Sequence, residues 1–421
     1  MKTLLTKYLR LSEKYTKIDM VYFTSGNFWL LASRLVGVSS GILLTLGFAN
    51  LIPPETFGTY KYILAVATTI SAFSLTGLGT AATRTVAKGN HNIIRLLFEK
   101  NIVWNIPASI IAFGGFLYYW YMGNLVLAFS LLAIAIVNPI LNGFVLNKSL
   151  LVGKKDFKTL AIYNIPGNLI TVTSMLFILF LTDNIIFIIA GYFISNLVSG
   201  WFVYQLCLHK YVDDPNINPT KTVSDIQETL NYSKHLSLTG SFVQLTSQID
   251  QLLLWQFVGP VQIAVYSFAQ APIRETKSIV DNILSIVFPK FANKTKKEIE
   301  ESLPLRIIQM TILSILMAVI YVLTIPYVFT FIFPQYVSAI FPSQLLSIVI
   351  LLQPKGIIET IIIAQGDIKK KYLTTIIPQI SRIGLFILLI PPYGLLGAIS
   401  GIVISEIIAT ISLVIIYKKL N

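Results

Sequence analysis

Ten charged residues stand inside stretches that are otherwise apolar, and their types limit the chemistry they can do. Five are cations: Arg34, Arg274, Lys277, Lys355 and Arg382. Five are acids: Asp250, Glu275, Asp281, Glu359 and Glu406. Arginine presents a planar fork of donors that matches the oxygens of a phosphate. A carboxylate buried in a membrane can bind or release a proton. Together they point to an anionic substrate and an ion that moves with it. A mid-helix charge costs about 2.5–3.5 kcal/mol on insertion scales. Ten of them facing lipid would outweigh a typical net stability of about 5–15 kcal/mol. They must therefore pair, reach an interface or face water.

Spacing groups them. Gln270, Arg274, Lys277 and Asp281 recur at i, i+4, i+7 and i+11, one face of a helix. Pro272 is expected to kink that helix just before Arg274. Gln244, Gln248 and Gln251 form a polar stripe with Asp250 beside it. Lys355–Glu359 and Lys277–Asp281 are i, i+4 pairs that could simply neutralise one another. Arg34 is close enough to a helix start to snorkel, as is Lys61 near the opposite surface. Nine of the ten charges fall in the second half, which should line more of any polar path.

The elements that carry these residues are membrane helices. Of the 421 residues, 55% are hydrophobic and 12% are charged. A soluble domain carries about twice that charge. Apolar stretches of about 20 residues, enough to cross a bilayer, recur from end to end. They predict twelve spans, at about 27–50, 58–83, 101–121, 125–147, 159–181, 185–207, 234–257, 261–289, 305–327, 340–364, 372–390 and 394–417. Met122-Gly123-Asn124, Thr182-Asp183-Asn184, Val258-Gly259-Pro260 and Pro391-Pro392-Tyr393 are turns short enough to force antiparallel neighbours. The longest outward stretch is 328–339, apolar and uncharged.

The net charge of +13 would fit nucleic-acid binding, but its distribution argues for a membrane. Alternate connections hold 26 of the 32 Lys and Arg, the pattern of basic loops kept on the cytoplasmic side. The 84–100, 148–158 and 290–306 loops are among them. Both termini are then cytoplasmic, with no nucleic-acid partner. Residues 1–26 are too polar for a signal peptide and read as an amphipathic cytoplasmic segment. A linker at 208–233 separates a first lobe, 27–207, from a second, 234–417, and a short tail, 418–421, follows. The stretch from Leu51 through Pro54 and Gly58 to Tyr60 repeats as the stretch from Phe257 through Pro260 and Ala264 to Tyr266, 206 residues on. Six helices apart, the repeat is parallel. No P-loop, enzyme motif or metal-ligand spacing is present, so no cofactor is expected. Cys207 reads as a core residue.

These residues resemble the multidrug/oligosaccharidyl-lipid/polysaccharide exporter superfamily, and within it the Wzx-type flippases of O-antigen and capsule repeat units. The likeness rests on four segments. They are Leu51-Ile52-Pro53-Pro54-Glu55-Thr56-Phe57-Gly58-Thr59-Tyr60; Gln248-Ile249-Asp250-Gln251 with Phe257-Val258-Gly259-Pro260; Tyr266; and Tyr393-Gly394-Leu395-Leu396-Gly397-Ala398-Ile399-Ser400-Gly401 running into Ile404-Ser405-Glu406. The resemblance implies an all-α integral membrane fold of two parallel-repeat lobes around a central cavity, in the bacterial inner membrane. It implies flipping of an undecaprenyl-diphosphate-linked oligosaccharide to the outer leaflet by alternating access, coupled to a proton or sodium gradient. Arg34, Arg274, Lys277 and Arg382 would engage the diphosphate. Asp250, Asp281, Glu406, Gln248, Gln251, Glu359 and Lys355 would serve ion coupling or line the cavity. Membrane lipid, a polysaccharide polymerase and chain-length machinery are the implied partners. The rivals are a drug exporter or lipid II flippase of the same superfamily, and a membrane polymerase or ligase. The short outward loops disfavour the last. The scarcity of charges in the first half makes an ion site there doubtful.

Overall fold

A computed structural model describes residues 20–211, 219–292, 296–364 and 368–418, with no strand among them. In chain order the helices are α1 (Met20–Leu51), α2 (Pro54–Ser71), α3 (Leu78–Ala87), α4 (Ile94–Trp104), α5 (Ile106–Tyr121), α6 (Leu125–Gly143), α7 (Val145–Gly153), α8 (Phe157–Leu181) and α9 (Ile185–Tyr211). They continue with α10 (Pro219–Thr246), α11 (Ile249–Phe257), α12 (Pro260–Ala292), α13 (Lys296–Ile332), α14 (Ile340–Leu346), α15 (Ile348–Leu351), α16 (Lys355–Ala364) and α17 (Ile368–Lys418), with a 3-10 turn at Pro334–Ala339. Most of the N-terminal segment and the 365–367 connection lie outside the described residues, as do the middle of the 208–233 linker and the side chain of Asp281.

The protein is an all-α integral membrane protein. Among the described residues, eight helices are long and apolar enough to cross a bilayer. One of them, 373–418, holds two of the expected spans. Gly394 has φ 53° and ψ −125° within it, a conformation only glycine takes without strain. A Cβ on Gly401 would lie 2.7 Å from Phe386, residues about 22 Å apart along a straight helix. The chain therefore reverses at Gly394, just after the expected Pro391-Pro392-Tyr393 turn. The three expected spans without a matching long apolar helix are 58–83, 234–257 and 261–289. They fall on α2 and α3, on α10 and α11, and on α12. Two of these spans are broken, and α12 carries Arg274, Glu275, Lys277 and Asp281.

Helix breaks are answered by side chains. Residues 72–77 interrupt the second span, where the Gly77 N–H donates to Ser237 Oγ at 3.0 Å. The 340–364 span is broken at Ser347 and again at 352–354. Span 9 reaches further than expected, so its helix occupies 328–332 and only a 3-10 turn remains of the outward stretch. α12 runs through Pro272 without a break.

The chain divides into two compact units, residues 1–51 with 66–245 and residues 52–65 with 246–421. In the first, α1 packs along α8, and α3 packs on α7. α10 begins fifteen residues before the expected start of its span. Ile226, Thr229, Leu230, Ser233 and Ser237 are buried along one face of it, at the i, i+3, i+4 spacing of a helical seam. Thr229 hydrogen-bonds Thr85 at 2.7 Å, and Lys88 pairs with Glu228 at 2.9 Å. In the second unit the two repeated segments meet. A Cβ on Gly58 would lie 1.8 Å from the backbone oxygen of Pro260. Tyr60 and Tyr266, the equivalent tyrosines, are both buried.

Asp156 caps α8. It accepts from the Thr159 N–H at 3.0 Å, the Thr159 hydroxyl at 2.8 Å and the Tyr211 hydroxyl. Burial opposes its ionisation, but these hydrogen bonds and Lys210 overcome it and bring the carboxyl down to about 2. Its contribution is therefore complete above the ordinary value of 3.8 and is lost as pH falls towards about 2. Asp156→Ala should cost about 1 kcal/mol. It should also flatten the acid limb of stability over that window, as read by thermal unfolding in detergent.

Candidate functional site

The polar core of the second unit is built by α11, α12, α16 and α17. Asp250 stands in the first turn of α11, 6% exposed. Its carboxylate accepts from the Gln251 N–H at 2.8 Å and from the hydroxyl of Tyr266, a fully buried residue of α12. Gln270, one turn further along α12, hydrogen-bonds the same phenol, and the Arg382 guanidinium is close enough to act on it electrostatically. Gln251 Nε2 donates to Gln248 Oε1 at 3.1 Å. Thr246, the last residue of α10, donates to Gln379 of α17 at 2.8 Å.

Glu406 of α17 joins three helices. It accepts a hydrogen bond from Lys355, the first residue of α16, and lies 4.0 Å from Lys277 of α12. Lys355 and Glu406 are 14% and 17% exposed, whereas Lys277 is 41% exposed. The local i, i+4 pairing of Lys355 with Glu359 is therefore not what forms. Glu359 is exposed, and the buried face of α16 turns Lys355 towards α17. Lys277 likewise has Glu406 as a partner on another helix.

Arg382 is half-buried, with its guanidinium over the Phe386 ring at 5.6 Å. Its Nε is buried without a hydrogen-bond partner, and its charge also bears on Glu406. Arg274 is exposed. Lys61, expected to snorkel, lies instead over Phe57 at 5.4 Å and within electrostatic reach of Arg274. Two like charges so placed call for an anion or water between them. Lys277, Lys355 and Arg382 thus gather around Glu406, with Asp250 the buried carboxylate nearby, while Glu275 and Glu359 on the same helices are exposed, as Arg274 is. Arg34 belongs to the first unit and is exposed on α1.

Charge counting missed a second polar cluster, in the first unit. Asn101 and Asn105 of α4 and its C-terminal cap, Asn138 and Asn142 of α6 and Ser71 of α2 form a buried ladder. Asn138 Nδ2 donates to Ser71 Oγ at 2.6 Å and Asn142 Nδ2 to Asn105 Oδ1 at 2.9 Å. Asn105 Nδ2 donates to the Asn101 carbonyl at 2.8 Å, and Asn101 Nδ2 to the Pro139 carbonyl at 3.0 Å. Pro139 has no N–H, which leaves the Ala135 carbonyl open. Ser109 Oγ donates to it at 2.8 Å. Amides joining helices in this way hold a membrane bundle together without charge. Their spacing, Asn101-x-x-x-Asn105 and Asn138-x-x-x-Asn142, was visible in the sequence as two matched i, i+4 pairs.

Solved structures share this architecture. The lipid II flippase MurJ in an inward closed conformation aligns with TM-score 0.63 at 14% identity, over 93% of this chain and 87% of that one. A multidrug resistance MATE transporter in an outward-facing conformation aligns with TM-score 0.56 at 15% identity, over 94% of each chain. A transporter from Pyrococcus furiosus, described as having a binding pocket of reversed polarity, gives 0.58 at 16%, over 93% of each chain. The chain shares their fold. Among curated proteins no sequence matches the chain. Residues 23–295 match the model of the polysaccharide biosynthesis protein family. That is well over half of the chain, and the chain belongs to this family.

Proposed function

We propose that the protein is a flippase that moves an undecaprenyl-diphosphate-linked oligosaccharide from the cytoplasmic to the outer leaflet of the bacterial inner membrane by alternating access. The observation that carries this reading is the gathering of Lys277, Lys355 and Arg382 around Glu406, with the Arg382 Nε buried and without a hydrogen-bond partner, in a member of the polysaccharide biosynthesis family. Arg274, Lys277 and Arg382 supply donors for a diphosphate, and Arg34 is proposed as a further contact. Lys277 is the mobile member. It is more exposed than Lys355 and shares Glu406 with it, so an anionic headgroup can draw Lys277 away while Lys355 keeps Glu406 neutralised. A polysaccharide polymerase and chain-length machinery would receive the product.

Coupling to a proton or sodium gradient is assigned to Asp250, with Asp281 as a second carboxylate. Glu406, held between two lysines, is better suited to positioning Lys277 than to carrying a cation. Three cations gathered around Glu406 disfavour a cationic drug as cargo. The similarity to MurJ, a lipid II flippase, supports a lipid-linked substrate.

Purified protein in liposomes should translocate a labelled prenyl-diphosphate oligosaccharide, faster with a pH or sodium gradient. Arg274→Glu should reduce translocation at least tenfold with an unchanged unfolding temperature. Translocation by this variant at the wild-type rate would remove Arg274 from the site. Transport of a cationic drug in place of the lipid would overturn the reading.

A further inference from the structure

Two amides within a membrane helix of the first unit are left without partners. Among the described residues, the side chains of Asn164 and Asn168 on α8 make no hydrogen bond. The asparagines of the ladder on α4 and α6 differ, because each donates to a neighbouring group. An amide without a partner in hydrocarbon costs free energy.

The pair does not lie on the lipid side of its helix. Ile162, Leu169, Phe177 and Phe180 are exposed and form one apolar stripe of α8. Asn164, Asn168 and Thr171, at i, i+4 and i+7, occupy the opposite side. That side meets α1 and α9. A Cβ on Gly37 would lie 3.7 Å from Asn168 Nδ2, and one on Gly167 would lie 2.8 Å from Ser199 Oγ. Asn164 is half-buried and Asn168 is exposed, so the bundle leaves this side open to water.

The surrounding charge decides what the amides can hold. α1, α8 and α9 carry no carboxylate, so they offer a cation no counter-charge. An amide presents an acceptor and two donors, the set that fits the hydroxyl groups of a neutral sugar. Residues four apart on a helix have Cβ atoms about 5–6 Å apart, close enough for two amides to grip one ring. Arg34 of α1 stands at the same depth. Lys158 Nζ lies over the Trp29 ring, Gly37 is beside Asn168, and Gly47 is beside Leu176. α1 and α8 therefore run parallel, and Arg34 is level with Asn164.

We propose that Asn164 and Asn168 bind the sugar joined to the diphosphate, which makes α8 a determinant of substrate specificity. The inference rests on the flippase reading and on Arg34 as a diphosphate contact within it. A sugar carried on a diphosphate at Arg34 comes within reach of both amides, and a bare diphosphate cannot use them.

The test is binding to the full-length protein in nanodiscs, with a prenyl-diphosphate oligosaccharide and with the bare prenyl diphosphate. The wild type should bind the oligosaccharide form about tenfold more tightly, the worth of two ordinary hydrogen bonds. The double variant Asn164→Ala, Asn168→Ala should bind both forms equally, with its affinity for the bare form unchanged. Its unfolding temperature should be unchanged or higher, because no hydrogen bond is lost and alanine favours a helix over asparagine. Thr173→Val, on the apolar side, should keep the preference. A double variant that keeps the preference would overturn the sugar site and leave the flippase reading standing. So would a wild type that binds both forms equally. A wild type that binds neither form would overturn the flippase reading and the site with it. Stabilisation against heat by sodium chloride over choline chloride, lost in the double variant, would make the amides a cation site and overturn the sugar as their occupant.

Discussion

Lys355→Met should destabilise the protein more than any other single charge removal in the second unit. Removing one partner of a buried ion pair costs about 3–5 kcal/mol, because the other is left as an uncompensated charge. Glu406 would keep Lys277, at 4.0 Å and 41% exposed, and the more distant charge of Arg382. The loss should fall towards the lower end of that range, seen as a lower unfolding temperature in detergent and lower yield from membranes. The double variant Lys355→Met, Glu406→Met should recover most of it, since no charge remains to be matched. A double variant no more stable than the single one would show that the two residues do not act as a pair. The comparison also separates architecture from transport. Lys277→Gln leaves Lys355 and Glu406 together, so it should spare stability while weakening capture of an anionic headgroup.

Gly58→Ala should be the most damaging small substitution in the chain. Its Cβ would fall 1.8 Å from the Pro260 carbonyl oxygen, inside the van der Waals limit of two backbones. Overpacking typically costs about 1–3 kcal/mol and occasionally more. Here the obstacle is the first residue of a helix and cannot rotate away as a side chain would. Gly114→Ala is the matched control, because nothing lies within 4 Å of the Cβ it would add. It should be neutral or gain up to about 1 kcal/mol, as alanine favours a helix over glycine. Unfolding temperatures of the two variants measured side by side decide the matter. If both behave alike, the close approach of α2 to α12 is not needed.

How far the sequence could be read depended on whether each signal was local. Apolar length revealed the spans, and Gly123 and Gly259 marked turns that both adopt a positive φ. The repeat around Gly58 and Ala264 pointed to two equivalent segments, but only the folded unit shows that Gly58 must be small because it touches Pro260 of the other segment. Pairing was harder to foresee. Helical periodicity nominates Glu359 for Lys355, and the partner is 51 residues away on α17. Lys61 looked like a surface residue because its depth was judged from its own helix alone. The asparagine ladder escaped because neutral amides leave no mark on a charge map. α10 was underestimated for a similar reason. Its seam of Ile226, Leu230 and Ser233 is amphipathic rather than apolar, so it resembles a linker until its partner α3 is present.

The division of the chain also bears on how the protein is made. Residues 52–65 belong with 246–421, and residues 219–245 with the first unit. The early segment is synthesised long before the helices it packs with, so the second bundle cannot close until the ribosome has passed residue 246. The first bundle likewise waits for α10. Neither half is a self-sufficient folding unit. Expressed alone, residues 1–211 would lack α10 and hold 52–65 without its neighbours. Two fragments cut at 212–218 and produced in the same cell should restore each other, because each supplies the strip of helix that the other lacks.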